Sequence, residues 1–326
     1  MIRARGSVRR LAVSTLLGAA AFVPASADAQ SPGQLTSRCV ERGGDLDRCT
    51  DVAVAARALT GQTSLLAGWG SDVPGSASTL GRKIGNRPRF SSSFRAGVVS
   101  VGLPDVFDQG TGRATDVSFV VPSMQLGLTA GLLDGFSPMP TVGGMLSLDV
   151  FGSVGITMPP SSEGFRGNST AVAIGARVGV LRESFTLPGV SASVSHRLLG
   201  AVRLGDTGLG DPARIEVDPG VTSIRATIGK DLFGVGVLAG VGWDHASAET
   251  MLEVQDTGAD VVRVEGPLDA RRTIYFGGAS FNLLLLQLSV EGGWAGGYPG
   301  VPGDLGSTFD PETGSPFGSL ALRFTP

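Results

Sequence analysis

Hydrophobic residues recur at every second position over several stretches of about ten residues. From Met124 the even positions read Met124, Leu126, Leu128, Ala130 and Leu132, against Gln125, Gly127, Thr129 and Gly131. Val142, Leu146, Leu148, Val150, Val154 and Ile156 form one face of the next stretch, opposite Ser147, Asp149 and Ser153. Val172, Ile174, Ala176, Val178 and Val180 oppose Gly175, Arg177 and Gly179, and Leu284, Leu286, Leu288 and Val290 oppose Gln287, Ser289 and Glu291. A period of two is that of a β-strand with one apolar face. A soluble sandwich has the same period, so the second face has to decide. It holds mainly Gly, Ser, Thr and Ala with isolated charges, whereas solvent-facing strands carry more Lys and Glu. Small residues with a few charges suit the lumen of a narrow barrel whose apolar face meets lipid.

Aromatic positions support that reading. Phe90, Phe136, Phe185, Phe233, Phe281 and Phe324 fall at strand ends or turns, 46, 49, 48, 48 and 43 residues apart. Trp243 and Trp294 lie at the far ends of strands that begin near Phe233 and Phe281. Two girdles, one at each membrane interface, account for this spacing. At the C-terminus Gly318, Leu320, Leu322 and Phe324 oppose Phe317, Ser319, Ala321 and Arg323. This face resembles the terminal strand of bacterial outer-membrane proteins, which ends in an aromatic read by the barrel-assembly machinery. Here Thr325 and Pro326 follow the aromatic. The resemblance implies two partners: that machinery, and outer-membrane lipids.

Connections alternate strictly in length. The short ones are Asp134–Thr141, Glu183–Gly189, Lys230–Asp231 and Asn282–Leu283. The long ones are Pro104–Ala114, Pro159–Asn168, Gly205–Arg214, Ala246–Ala270 and Gly297–Ser315. Short turns on the periplasmic side and long loops outside are the rule for transmembrane barrels. Each Phe-to-Phe unit is then a strand up, an external loop and a strand down. Five units predict an all-β, antiparallel up-and-down barrel of ten strands with both termini periplasmic. Glu249–Glu265 admits two readings. As two more crossings it would make twelve strands; as an external hairpin with its tip at Asp256–Gly258 it leaves ten. Ten strands enclose little more room than eight, where side chains fill the interior.

Composition removes other classes. The chain has 326 residues with 50 Gly and 17% charged residues. That glycine share is roughly twice the usual one, and soluble domains carry more charge. With 42% hydrophobic residues the chain is no disordered one. A net charge of −3 gives no reason to expect nucleic acid. Arg3, Arg5, Arg9 and Arg10 precede an apolar run from Leu11 to Val23, and Ala27-Asp28-Ala29 has the small-x-small form of a cleavage site. Residues 1–29 read as a signal peptide, because the run is too short to span a bilayer. No later segment reaches 18 apolar residues. Residues 30–89 form an N-terminal segment and 90–326 the barrel.

Cys39 and Cys49, the only cysteines, are predicted to pair, since export takes them out of the reducing cytoplasm. Closing that loop contributes on the order of 3 kcal/mol. Two Cys without a nearby His make no metal site, and no cofactor motif stands out.

On these facing assignments the lumen receives Arg95, Arg177, Arg197, Arg203, Arg225 and Arg323, with Asp149 and Glu291. Buried charges are normally paired, which predicts a cross-strand ion-pair network. Rings of Arg also serve anion paths. Asp47–Leu59 is a predicted helix. Glu41, Asp45, Asp47 and Asp51 are candidates to meet the positive lumen, which would make residues 30–89 a plug; a periplasmic arm is the alternative. N-terminal hatches occur in the long-chain fatty-acid transporter family, which this segment resembles in organisation.

His245-Ala246-Ser247 places His245 and Ser247 on one face, with Glu249 beyond. It resembles the His-x-Ser arrangement of lipid A deacylase barrels, where His activates Ser. Asp244 beside His245 resembles omptin-type proteases, but adjacent strand residues face opposite ways. His196 falls on the lipid face. The sequence therefore predicts a non-enzymatic barrel, structural or a narrow channel for small or apolar solutes. The rivals are a lipid-acting hydrolase using His245 and Ser247 and an adhesin acting through its external loops.

Overall fold

The computed structural model describes residues 31–83, 87–107, 115–137, 145–255, 260–297 and 309–326. Ten strands form one closed antiparallel ring: β1 (Arg87–Pro104), β2 (Asp116–Leu133), β3 (Ser147–Thr157), β4 (Ser169–Leu181), β5 (Gly189–Leu199), β6 (Ala213–Leu232), β7 (Val235–Val254), β8 (Val262–Leu283), β9 (Leu286–Ala295) and β10 (Ser315–Phe324). Each strand pairs with its sequence neighbours. β10 returns to β1, from Phe317 opposite Val99 to Phe324 opposite Ser92. Closure leaves no strand edge to be solvated inside a bilayer, where unpaired backbone groups cost several kcal/mol each. Two short pieces, Arg82–Lys83 and Val202–Leu204, add to β1 and β6. The predicted signal segment, Val142 and residues 108–114, 256–259 and 298–308 lie outside the described residues.

Two turns sit further along the chain than their sequence pattern indicates. The β6–β7 reversal is at Phe233-Gly234, not Lys230–Asp231, and the β8–β9 reversal is at Leu284-Leu285, not Asn282–Leu283. Phe233 and Leu284 both have positive φ, 52° and 51°, a conformation usually left to Gly and Asn. Apolar residues at turn tips hide the usual turn signal. All six girdle phenylalanines are exposed on the outer surface, as are Trp243 and Trp294.

Glu249–Glu265 adds no crossings. Its residues up to Val254 and from Val262 belong to β7 and β8, paired from Val254 opposite Val262 through Glu249 opposite Pro267. β6, β7 and β8 run to 20, 20 and 22 residues and project beyond the bilayer. Their polarity inverts along the way. Near the short turns they are apolar outside and polar inside, with Ile224 and Ile228 outward against Arg225 and Ser223 inward. Further out, Glu216, Asp218 and Glu249 face outward, while Ile215, Val217 and Leu252 are buried inward. The inversion marks the level at which lipid gives way to water.

The inward apolar face of that outer half needs something to pack on, and the N-terminal segment supplies it. Helix α1 (Pro32–Glu41) starts with a capping box, Ser31 and Gln34, and Pro32 in its first turn. Helix α2 (Leu46–Ala67) is capped by Asp45, whose side chain accepts from the amides of Asp47 and Arg48. The Cys39–Cys49 disulfide joins the two helices. From Val52 to Ala67 almost every residue of α2 is buried on all sides, as expected of a helix enclosed in a core. Small residues (Ala53, Ala55, Ala56, Ala58) let it fit within the ring. α2 is longer than the predicted Asp47–Leu59, and α1 lies outside that prediction altogether. A helix buried all round has no amphipathic stripe to mark its second half, Thr60–Ala67.

Cross-linking tests the closure. Phe94 and Leu322 stand directly opposite each other on β1 and β10, where Cβ atoms are about 5 Å apart. The Phe94→Cys/Leu322→Cys double variant is expected to oxidise to an intramolecular disulfide that alters mobility on heated, non-reducing gels. No cross-link would contradict the ring.

Candidate functional site

The lumen is where the chain concentrates its buried charge, and the N-terminal segment descends through it. At the long-loop end Arg38 Nη1 donates to the Glu265 carbonyl (2.9 Å) and Arg48 Nη1 to that of Gln255 (3.0 Å). Lower down, Thr157 Oγ1 on β3 donates to the Leu66 carbonyl (3.0 Å). Residues 68–80 then continue in extended form among polar wall residues. The segment leaves at the short-turn end, where the Arg82 amide donates to Asp134 Oδ1 (2.6 Å) and Arg182 lies 3.3 Å from the same atom. That amide, with the guanidinium's help, holds the Asp134 carboxyl below its usual range. The clamp therefore persists above the ordinary carboxylate pKa and weakens as pH falls through the lowered value. This path corrects one expectation: the first described residues lie at the end with the long loops, which is external in this class, while the C-terminal strand ends at the periplasmic side.

Four arginines on inward positions each meet a carboxylate. Arg95 reaches Glu291 at 3.2 Å, Arg177 reaches Asp149 at 2.7 Å and Arg225 reaches Asp244 at 2.5 Å. Arg197 binds Asp72, which Ser193 (2.5 Å) and Ser195 (3.2 Å) also hold. All eight side chains are almost completely buried. The pairs are also tied to the backbone of residues 68–80. Arg95 Nη1 donates to the carbonyls of Trp69 (2.8 Å) and Ser71 (2.9 Å). Glu291 accepts from the amides of Ser71 and Gly75 (3.0 and 3.1 Å), and Asp149 from that of Leu80 (3.0 Å). Arg177, Arg225 and Arg323 donate to the carbonyls of Ser76, Gly70 and Pro74. An extended segment has no internal hydrogen-bond ladder, so its polar groups must be satisfied by the wall. The wall's charges need the same bonds to be tolerated in a dry interior.

Seven of the eight sequence-predicted lumen residues point inward: Arg95, Asp149, Arg177, Arg197, Arg225, Glu291 and Arg323. Arg203 does not. It sits on the short Val202–Leu204 strand, half exposed and paired with Glu216 at 3.0 Å, because Val202 and Leu204 take the buried face. Glu41, Asp45 and Asp47 are exposed near the external end and Asp51 is only partly buried, so they are not the acids that meet these arginines. Asp72 and Asp244 are. Asp72 lies in a Gly/Ser-rich stretch without periodicity. Asp244 was legible as the inward neighbour of outward His245. Arg272 also faces inward, donating to the Gly61 carbonyl (3.4 Å) and Gln62 Oε1 (3.3 Å).

Little space remains. Beside Trp69, Asp72 and Arg197 is a polar cavity of about 20 Å³, room for about one water. Gly97 on β1 makes the close approach of Trp69 possible: a Cβ there would lie 2.5 Å from the Trp69 ring.

The hydrolase geometry does not form. His245 is bonded through Nδ1 to Arg271 Nε (3.3 Å), and no hydrogen bond joins it to Ser247. Asp244, on the opposite face, is committed to Arg225. His196 is exposed and contacts Thr222 Oγ1 at 3.1 Å.

A closed ring with an apolar outer belt, aromatic girdles and a sealed, ion-paired interior defines a bacterial outer-membrane β-barrel protein. No family model and no curated protein matches the sequence. Among solved structures the chain is similar to the translocator domain of autotransporter NalP from Neisseria meningitidis (10% identity, 73% of this chain and 87% of that one, TM-score 0.32). It is also similar to the Pseudomonas putida toluene transporter TodX (9%, 73% and 89%, 0.27) and to the Yersinia pestis attachment invasion locus protein Ail (10%, 73% and 97%, 0.26). At these values the likeness extends to nothing those proteins bind or carry.

Removing one partner of a buried pair strands the other charge, at a cost of about 3–5 kcal/mol. Glu291→Ala is expected to lower unfolding free energy in detergent by that much, and Arg95→Met/Glu291→Leu by clearly less than Glu291→Ala alone. Gly97→Val is expected to displace Trp69 and raise acrylamide quenching of tryptophan fluorescence; unchanged quenching would contradict the close packing.

Proposed function

We propose that this protein is a non-enzymatic outer-membrane barrel held closed by its own N-terminal residues, with a structural role at the membrane. The observation that carries this reading is the commitment of the lumen guanidiniums. An anion path needs cationic groups free to exchange ligands, whereas Arg95, Arg177, Arg197 and Arg225 each hold a carboxylate. Passage of small or apolar solutes would require residues 61–80 to leave, breaking several charge-assisted bonds together.

Planar-bilayer recording tests it. Wild-type protein is expected to give no conductance steps, and a variant lacking residues 31–80 is expected to give steps. Anion-selective steps in the wild type, abolished by Arg177→Ala or Arg225→Ala, would instead make it a channel. The projecting β6–β8 sheet, charged on its outer face, favours surface contact through the external extension as a second reading. Against the hydrolase, Ser247→Ala is expected to leave the host's lipid A and phospholipid profiles unchanged.

A further inference from the structure

The level at which the outer surface changes from apolar to polar carries a row of four side chains in strict register. His196 on β5 stands opposite Thr222 on β6, Thr222 opposite His245 on β7, and His245 opposite Arg271 on β8. All four face outward. The chain has two histidines in all, and both are in this row. The contacts run along it: His196 Nδ1 to Thr222 Oγ1 at 3.1 Å, and Arg271 Nε donating to His245 Nδ1 at 3.3 Å. Because Nδ1 of His245 accepts, its neutral ring carries the proton on Nε2 and keeps a donor to offer. Among the described residues Arg271 has no carboxylate partner. The nearest acid on its own face, Asp269 one step outward, is bound to Arg57 at 3.4 Å.

The row's height is fixed by its neighbours. One step toward the periplasm on the same faces lie Val194, Ile224 and Trp243, and Tyr275 and Trp294 oppose each other directly on β8 and β9. Aromatic belts of this kind sit at the headgroup level. One step the other way lie exposed Leu198 on β5, then Gly220, Ser247 and Asp269, and beyond them Asp218 and Glu249, so that on β6 to β8 the surface above the row is suited to water. Between the belt and the row is an open depression of about 380 Å³, lined by the outward side chains of Thr222, Ile224, Trp243, His245, Arg271 and Thr273 and completed by Asp244, Arg272 and Gly297, the Asp244 carboxylate itself being turned inward to Arg225. Its floor is apolar and its outer rim carries the donors.

We infer that this depression is a lipid site, in which the phosphate of an anionic outer-leaflet lipid is held by Arg271, His245 and Thr222 while the start of its acyl portion lies against Ile224 and Trp243. Arg271 supplies a permanent cation at a depth where a lone guanidinium is poorly hydrated, and phosphate is the anion that this membrane level provides. Planar guanidinium donors match phosphate oxygens. The acids in the rows above limit the site to a ligand approaching from the membrane side.

Native mass spectrometry of the full-length protein in detergent, with phosphatidylglycerol or phosphatidylcholine added, tests this. The wild type is expected to retain phosphatidylglycerol at least about fivefold over phosphatidylcholine. Arg271→Ala/His245→Ala is expected to remove that preference with the melting temperature unchanged, since both side chains are outside the core. Ser247→Ala, one row higher, is expected to keep the preference and serves as the control. Equal retention of the two lipids by the wild type, or an undiminished preference in the double variant, would overturn the proposal. Displacement of the lipid by millimolar inorganic phosphate alone would also overturn it, by showing a free-anion site in place of a lipid one.

Discussion

A sheet inside a bilayer cannot leave an edge, so it must close, and closing ten strands encloses a space that their own inward side chains do not fill. Everything distinctive about this molecule follows from how that space is occupied. Small inward residues would leave a wet pore, and large ones would strain the ring. The chain takes a third course: it keeps glycine and serine on much of the wall and lays its own N-terminal residues in the gap. Gly97, whose missing side chain leaves room for the Trp69 ring, shows the fit at its closest.

The filler has two parts because the wall has two parts. In the outer half, where the strands stand in water, their inward face is apolar, with Ile215, Val217, Leu252 and Leu268 buried. There the occupant is α2, a helix that satisfies its own backbone, offers Val, Leu and Ala to the wall, and turns the hydroxyls of Thr60, Thr63 and Ser64 onto its own carbonyls. In the membrane half the outward face must be apolar, so the polar residues turn inward. There the occupant is an extended segment whose amides and carbonyls are the hydrogen-bond partners those residues require. Swapping the two occupants would leave unsatisfied backbone in the first half and unpaired charge in the second.

The ion pairs are the seam between wall and filler. Glu291 accepts from Arg95 and from the backbone of residues 71 and 75, and Asp149 accepts from Arg177 and from Leu80. Such pairs add little net stability compared with apolar packing, but they make misplacement costly. A plug shifted by one residue would exchange satisfied carbonyls for amides at several guanidiniums at once. This register-setting role fits a closed barrel better than a selectivity ring, and it moves attention from the lumen to the outer surface, where Arg271 stands in register with His245 and Thr222.

The amino-acid sequence by itself determined the barrel. Alternation between Met124 and Leu132, the regular spacing of six phenylalanines and the rhythm of short and long connections each follow from local geometry and from contact with lipid, so they are written residue by residue. The lumen position of Arg95, Arg177 and Glu291 follows from the same parity. Other features needed the tertiary structure. Whether Glu249–Glu265 crosses the membrane depended on which face of it found an apolar partner. The length of α2 depended on burial from every side, which erases the amphipathic stripe. Asp72 became a lumen acid only because the segment carrying it is threaded past Arg197, and Arg203 turned outward only because Val202 and Leu204 took the buried face. Contacts between residues far apart in the chain leave no periodic trace, and the placement of the plug rests on such contacts, from Arg95 with Trp69 to Glu291 with Ser71.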